Sequence, residues 1–204
     1  MDLVIAATDH PRAQARINRF AYHAGIPALF VGLYAGAAAG EVVPILPGSA
    51  PCYRCATGVS RELAAMRNDQ PERGVNYGTG RLVAEPALAC DIQHVASAGV
   101  KVALSLLTRE ATGSVASFAP SAFERGFHWL MLSTTPDYGI FPIIHEANHG
   151  RYAYESVWLS TESQRECPVC GVAEHREPPE AAAIGLVNAE ALRARLLDLA
   201  PNAG

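Results

Sequence analysis

Two cysteine pairs constrain this chain more than any other feature. Pro51-Cys52-Tyr53-Arg54-Cys55 and Cys167-Pro168-Val169-Cys170-Gly171 are both C-x-x-C knuckles, and 111 residues separate Cys55 from Cys167. Each knuckle presents two thiolates from one tight turn, and four sulfurs complete a tetrahedral shell that suits zinc. Such a shell has no open position, so its expected role is structural: it pins late strands to an early loop. Two disulfides, or a redox C-x-x-C, are the alternative readings. Redox motifs usually stand singly at a helix N-terminus, and disulfides are rare without export. The start, Met1 to Asp9, lacks the basic residues of a signal peptide. The expectation is therefore a cytoplasmic protein with structural zinc on Cys52, Cys55, Cys167 and Cys170. Gly171 is expected to let the backbone turn so that its N–H groups face the sulfurs.

The 204 residues suffice for one domain. Half are hydrophobic and 18% are charged, which excludes a disordered, collagen-like or coiled-coil chain. A net charge of −4 argues against nucleic acid as a partner. Pro and Gly interrupt every apolar run before the about 20 residues of a membrane span, so no membrane partner is expected either.

Leu3 to Thr8 is a short apolar run that reads as a buried strand. Asp9 can cap a helix with Pro11 in its first turn and Ala13, Ile17, Phe20, Ala21 and Ala24 at helical spacing. Gly25 and Pro27 stop it. Ala28 to Tyr34 is a second strand, so the order is βαβ and the sheet is expected to be parallel here. Glu41 to Leu46 follows as a third strand. Ser60 to Arg67 reads as a short helix and Asn68 to Gly80 as a Gly-rich crossing loop. Ile92 to Leu107 sets Ile92, Val95, Ala96, Gly99, Val102, Ala103 and Leu106 on one face of a helix whose small residues permit close packing. Phe127 to Ser133 and Tyr152 to Ser160 are aromatic and β-branched, which predicts antiparallel strands. Residues 1–175 form the main unit, with knuckles at 51–56 and 166–171. Residues 176–204 read as a linker and a short peripheral helix, Asn188 to Leu199.

His145-Glu146-Ala147-Asn148-His149 matches the zinc-protease pattern H-E-x-x-H. That chemistry needs both histidines on one face of a helix. Pro142 and Gly150 leave no room for one, and the segment reads as a polar turn. Cys90 is the fifth cysteine, beside the apolar Ala87-Leu88-Ala89, where a cysteine is usually inert packing.

The strand ending at Thr8-Asp9, then Asn18, Gly25-Ile26-Pro27, Gly40-Glu41-Val42 and the knuckle Pro51 to Cys55 together resemble the ThiF/MoeB/HesA superfamily, the bacterial relatives of ubiquitin-activating enzymes. The second knuckle falls where that family places its second zinc pair, and the likeness covers most of residues 2–175. The resemblance implies a Rossmann-like α/β fold, in part, and ATP-dependent adenylation of the C-terminal glycine of a ubiquitin-like or sulfur-carrier protein, the carboxylate attacking the α-phosphate. It implies ATP and Mg²⁺ as cofactors and a homodimer. Asp9 matches the acidic residue that holds Mg²⁺ beside the phosphates. Its position agrees, because ligands bind at the carboxyl ends of parallel strands; the bland reading of Asp9 is a helix cap. Asn18 matches the family's helix asparagine, and the resemblance implies that it joins Asp9 in binding the cofactor. Cys90 could be the thiol some members use to take the activated partner as a thioester.

Three departures stand out. His10 replaces an asparagine, and Gln14 replaces an arginine. Arg12 and Arg16 lie two residues to either side of Gln14, about 200° round the helix. No Gly-rich phosphate loop opens a helix, so the chain resembles the C-terminal portion of such an enzyme. The reading from another class is a non-catalytic, zinc-stapled binding or dimerisation module derived from that family.

Overall fold

The computed structural model describes residues 2–8, 11–48, 51–58, 86–136, 138–139, 141 and 153–178. The chain begins with β1 (Val4–Ala6), α1 (Pro11–His23) and β2 (Ala28–Leu33), and β1 pairs with β2 in parallel, Val4 opposite Ala28. This is the expected βαβ unit. β3 (Ala39–Ile45) returns antiparallel to β2, with Phe30 opposite Val43. A parallel return needs a crossover of about a dozen residues or more, and only Tyr34 to Ala38 joins these two strands. That link is a single 3₁₀ turn with Gly36 at φ +65°.

A knuckle helix, α2 (Tyr53–Ala56), follows, then the long α3 (Ala89–Leu107), the short α4 (Phe118–Phe123), β4 (Phe127–Ser133) and β5 (Ser156–Ser160). Among the described residues the strands form one sheet in the order β1-β2-β3-β4-β5, with every pairing after the first antiparallel. The fold is mixed α/β, parallel first and antiparallel later.

Helices cover both faces. α1 and α2 pack with Ala6, Phe30, Val43, Ile45, Trp129 and Met131 on one side. α3 and α4 pack with Leu29, Val42, Leu130 and Leu132 on the other. β3 lies between both layers and is buried along its whole length. Small residues allow α3 to sit close. A Cβ on Gly40 would lie 2.6 Å from Val95, and one on Gly99 would lie 3.0 Å from Val31.

Two boundaries differ from the sequence reading. α3 starts at Ala89, a turn before Ile92, so Cys90 belongs to its first turn. β5 starts at Ser156 and not at Tyr152, because Tyr154 has φ +59°, a left-handed conformation that no strand accommodates. The expected helix at 60–67, the loop at 68–80, the turn at 145–149 and the helix at 188–199 lie outside the described residues.

Candidate metal centre and strand-end site

The two knuckles meet. The Sγ atoms of Cys52, Cys55, Cys167 and Cys170 all lie within 4.8 Å of one another, and all four residues are buried. Cys52 and Cys167 are 3.7 Å apart through sulfur, and Cys55 and Cys170 are 3.5 Å apart. Disulfide sulfurs sit about 2.05 Å apart, so these are not bonded pairs. Zinc–sulfur bonds of about 2.3 Å at tetrahedral angles set the sulfurs about 3.8 Å apart. The donor set and its spacing therefore fit a metal such as zinc.

With protons in place of metal, the cluster is frustrated. Hydrogen bonds from Cys52 and Cys55 hold the Cys170 thiol well below its ordinary range. The same bonding to Cys170 raises Cys52 and pushes Cys55 up to about 12. A divalent cation would replace the thiol protons.

The knuckles are built by short-range turns. Cys52 precedes α2, and its carbonyl accepts the Ala56 N–H at 2.9 Å. In the second knuckle Gly171 N–H donates to Cys167 O at 2.9 Å, and Val172 N–H donates to Arg165 O at 3.0 Å. Gly171 thus differs from the expectation, because its own N–H turns to a carbonyl and not to a sulfur. Its reason for being glycine is crowding. A Cβ there would lie 2.4 Å from Cys167 O and 2.5 Å from Arg165 O. One backbone N–H that does reach sulfur is Gln164's, 3.4 Å from Cys55 Sγ. Arg176 donates from Nε and Nη2 to Gly171 O, at 3.1 and 2.8 Å, and ties the following segment to the knuckle.

At the other end of α1 lies the carboxyl end of β1. Asp9 and His10 lie outside the described residues. Thr8 is described, and Gln14 Nε2 donates to its carbonyl at 2.6 Å. The first turn of α1 contains no acidic residue, so the partial positive charge of its N-terminus is not neutralised from within the helix.

Asn18, expected near the nucleotide, is 3% exposed, and its Oδ1 accepts the Tyr53 N–H at 2.9 Å. Cys90 is exposed, against the expectation of buried packing, with its Sγ 3.8 Å from Asp91 Oδ1. It belongs to neither the metal cluster nor the strand end as described. A residue whose role sequence reasoning missed is Glu41, 6% exposed in β3. Its carboxylate accepts the Tyr34 hydroxyl at 2.7 Å and the Tyr53 hydroxyl at 3.1 Å, which ties the knuckle helix to the sheet. The available signal was a carboxylate inside an apolar strand, which folding tolerates only when it is bonded.

A twisted α/β sheet with a βαβ start and a four-cysteine centre clamping early and late segments defines the class. The chain belongs to the ThiF family, whose sequence profile matches residues 1–193. No curated protein matches it. Among solved structures it is similar to E. coli MccB with succinimide, at 12% identity and a TM-score of 0.48, over 84% of this chain and 39% of that one. It is also similar to a heterocyclase in complex with substrate and cofactor, at 16% identity and a TM-score of 0.47, over 84% of this chain and 21% of that one. The heterocyclase TruD matches at 17% identity and a TM-score of 0.43, over 83% of this chain and 22% of its own length. The chain thus spans about two fifths of MccB and about a fifth of the heterocyclases. Among the described residues, no helix is long and apolar enough to cross a membrane.

Proposed function

We propose that this chain takes part in ATP-dependent adenylation of the C-terminal carboxylate of a ubiquitin-like or sulfur-carrier protein, and that it supplies the strand-end acid and the zinc-bearing half of the site. Family membership is the single observation that carries the reading. ATP with Mg²⁺ supplies the adenylyl group and the cation that offsets phosphate charge.

The chain's own residues have distinct tasks. Asp9, which follows β1 in the sequence, would hold the divalent ion, as ligands in such sheets bind at the carboxyl ends of parallel strands. The N-terminus of α1 would face the anionic phosphates. Asn18 Oδ1 is committed to the first knuckle, so a nucleotide contact from this residue would use its amide nitrogen. Zinc on the four cysteines would supply structure, since a closed shell leaves no position for substrate. Cys90 is exposed at the start of α3 and is available as an acceptor thiol. Homodimerisation gains support from exposed Ile92, Val100, Leu104 and Leu107 along α3.

ATP–pyrophosphate exchange by the full-length protein with a carrier ending in Gly-Gly tests this reading. The expected result is carrier-dependent exchange that Asp9→Ala abolishes. Absence of exchange, with Asp9→Ala indistinguishable from the parent, overturns it.

One observation favours the second reading, a non-catalytic zinc-stapled binding module. Gln14 stands where the family has arginine, and its amide is spent on Thr8 O. Carrier binding that is indifferent to ATP and Mg²⁺ would select this reading.

A further inference from the structure

Three side chains on α1 stand four residues apart: Gln14, Asn18 and Tyr22. That spacing sets them in one row along the helix. Each meets a different part of the protein. Gln14 holds the carbonyl of Thr8, two residues past the end of β1. Asn18 accepts the N–H of Tyr53, the first residue of α2. Tyr22 packs against the cysteine cluster. Beside that row, Arg19 forms an ion pair with Glu177, whose N–H donates to Pro168 O inside the second knuckle at 2.8 Å.

The Asn18 contact is unusual in its origin. The opening N–H groups of a helix lack partners within the helix, and the side chain of the preceding residue commonly caps the second or third of them. Cys52 occupies that position in α2 and makes no such bond. Its sulfur belongs to the cluster instead. The cap comes from Asn18, 35 residues earlier. Asn18 thus satisfies the first orphan N–H of α2 from another helix, next to a residue whose sulfur belongs to the cluster.

We propose that α1 is a rigid link between the cysteine centre and the carboxyl end of β1, with Asn18 and Gln14 as its positioning residues. Metal on the four sulfurs fixes both knuckles, the knuckles fix α1 through Asn18 and Arg19, and α1 fixes the Thr8 carbonyl through Gln14. What the strand end then does rests on the adenylation reading; the link itself does not.

The test uses the full chain loaded with zinc, and reads zinc transfer to a chromophoric chelator and amide hydrogen exchange at Ile5 to Thr8. In the parent protein, stripping the metal raises exchange at Ile5 to Thr8 as well as at the knuckles, and leaves β4 and the centre of α3 protected. Asn18→Leu, which matches the shape and removes the acceptor, speeds zinc transfer about ten-fold, the equivalent of one lost hydrogen bond with its partner left buried. Asn18→Asp, which keeps an acceptor, restores the parent rate. Gln14→Leu raises exchange at the strand end and leaves zinc transfer unchanged. Zinc transfer at the parent rate in Asn18→Leu, or failure of Asn18→Asp to rescue it, overturns the proposal. So does parent-level exchange at Ile5 to Thr8 after metal removal, a measurement that needs no variant to fold. Absent pyrophosphate exchange with these results intact would remove the adenylation reading and leave the link standing.

Discussion

Gly171→Ala places one methyl group where the second knuckle has no room for it. The new Cβ would lie 2.4 Å from Cys167 O, 2.5 Å from Arg165 O and 2.7 Å from Cys167 N. All three are backbone atoms, so no side chain can swing aside. The two oxygens also accept the turn's own hydrogen bonds, from Gly171 and Val172. Relief of the overlap therefore breaks or stretches both. Overpacking costs about 1–3 kcal/mol and each hydrogen bond about 1 kcal/mol, so the expected penalty is about 3–5 kcal/mol. If it falls on the metal-bound state, zinc binding weakens by about two to four orders of magnitude. Chelator competition measures that directly, and thermal unfolding of the zinc-loaded protein should drop by about 10 °C. Gly58→Ala is the control, because nothing lies within 4 Å of a Cβ there. A Gly171→Ala protein with parent zinc affinity and parent melting temperature would refute the reasoning that crowding selects glycine here.

Other outcomes follow from the same contacts. The protein should carry about one zinc per chain, and Cys167→Ser should lose it and loosen residues 164–177, read as metal content and local proteolysis, because a structural site contributes its binding energy to folding. Glu41→Ala should destabilise by about 2–4 kcal/mol in denaturant unfolding, since it leaves the half-buried Tyr34 and buried Tyr53 hydroxyls without the carboxylate they now share. Glu41→Gln should cost less. Burial in β4 lowers the His128 pKa below its ordinary 6.5, so the folded protein takes up that proton less readily than the unfolded chain. This contribution is fully present above pH 6.5 and is lost as pH falls through that value towards the folded-state pKa. His128→Leu should flatten stability against pH in that window, and an unchanged pH profile would count against it.

Much of the fold was legible because it rests on local pattern. The apolar run from Leu3, the helical spacing from Ala13 to Ala21 and the stop at Gly25-Ile26-Pro27 are enough to write βαβ. Two C-x-x-C pairs define a four-sulfur donor set from residue type and spacing alone, since few other arrangements use four such cysteines. The small residues of α3 announced close packing, although not which strand residues would fill the gaps. Tertiary contacts decided the rest. No periodicity separates a Glu41 that is solvated from one that binds two tyrosine hydroxyls, because the partners lie 7 and 12 residues away and converge only when β3 sits under α2. Asn18 on a helix reads as a polar residue of modest consequence until folding brings Tyr53 to it. Exposure of Cys90 depends on where α3 begins, and the sequence alone left that start a turn too late. The sequence by itself determined the four cysteines of the candidate metal centre and the βαβ start. Only the tertiary structure decided that α1 joins them, because a hydrogen bond to an orphaned backbone N–H has no sequence signature: the backbone donor is the same at every residue, and only its position in space makes it lack a partner.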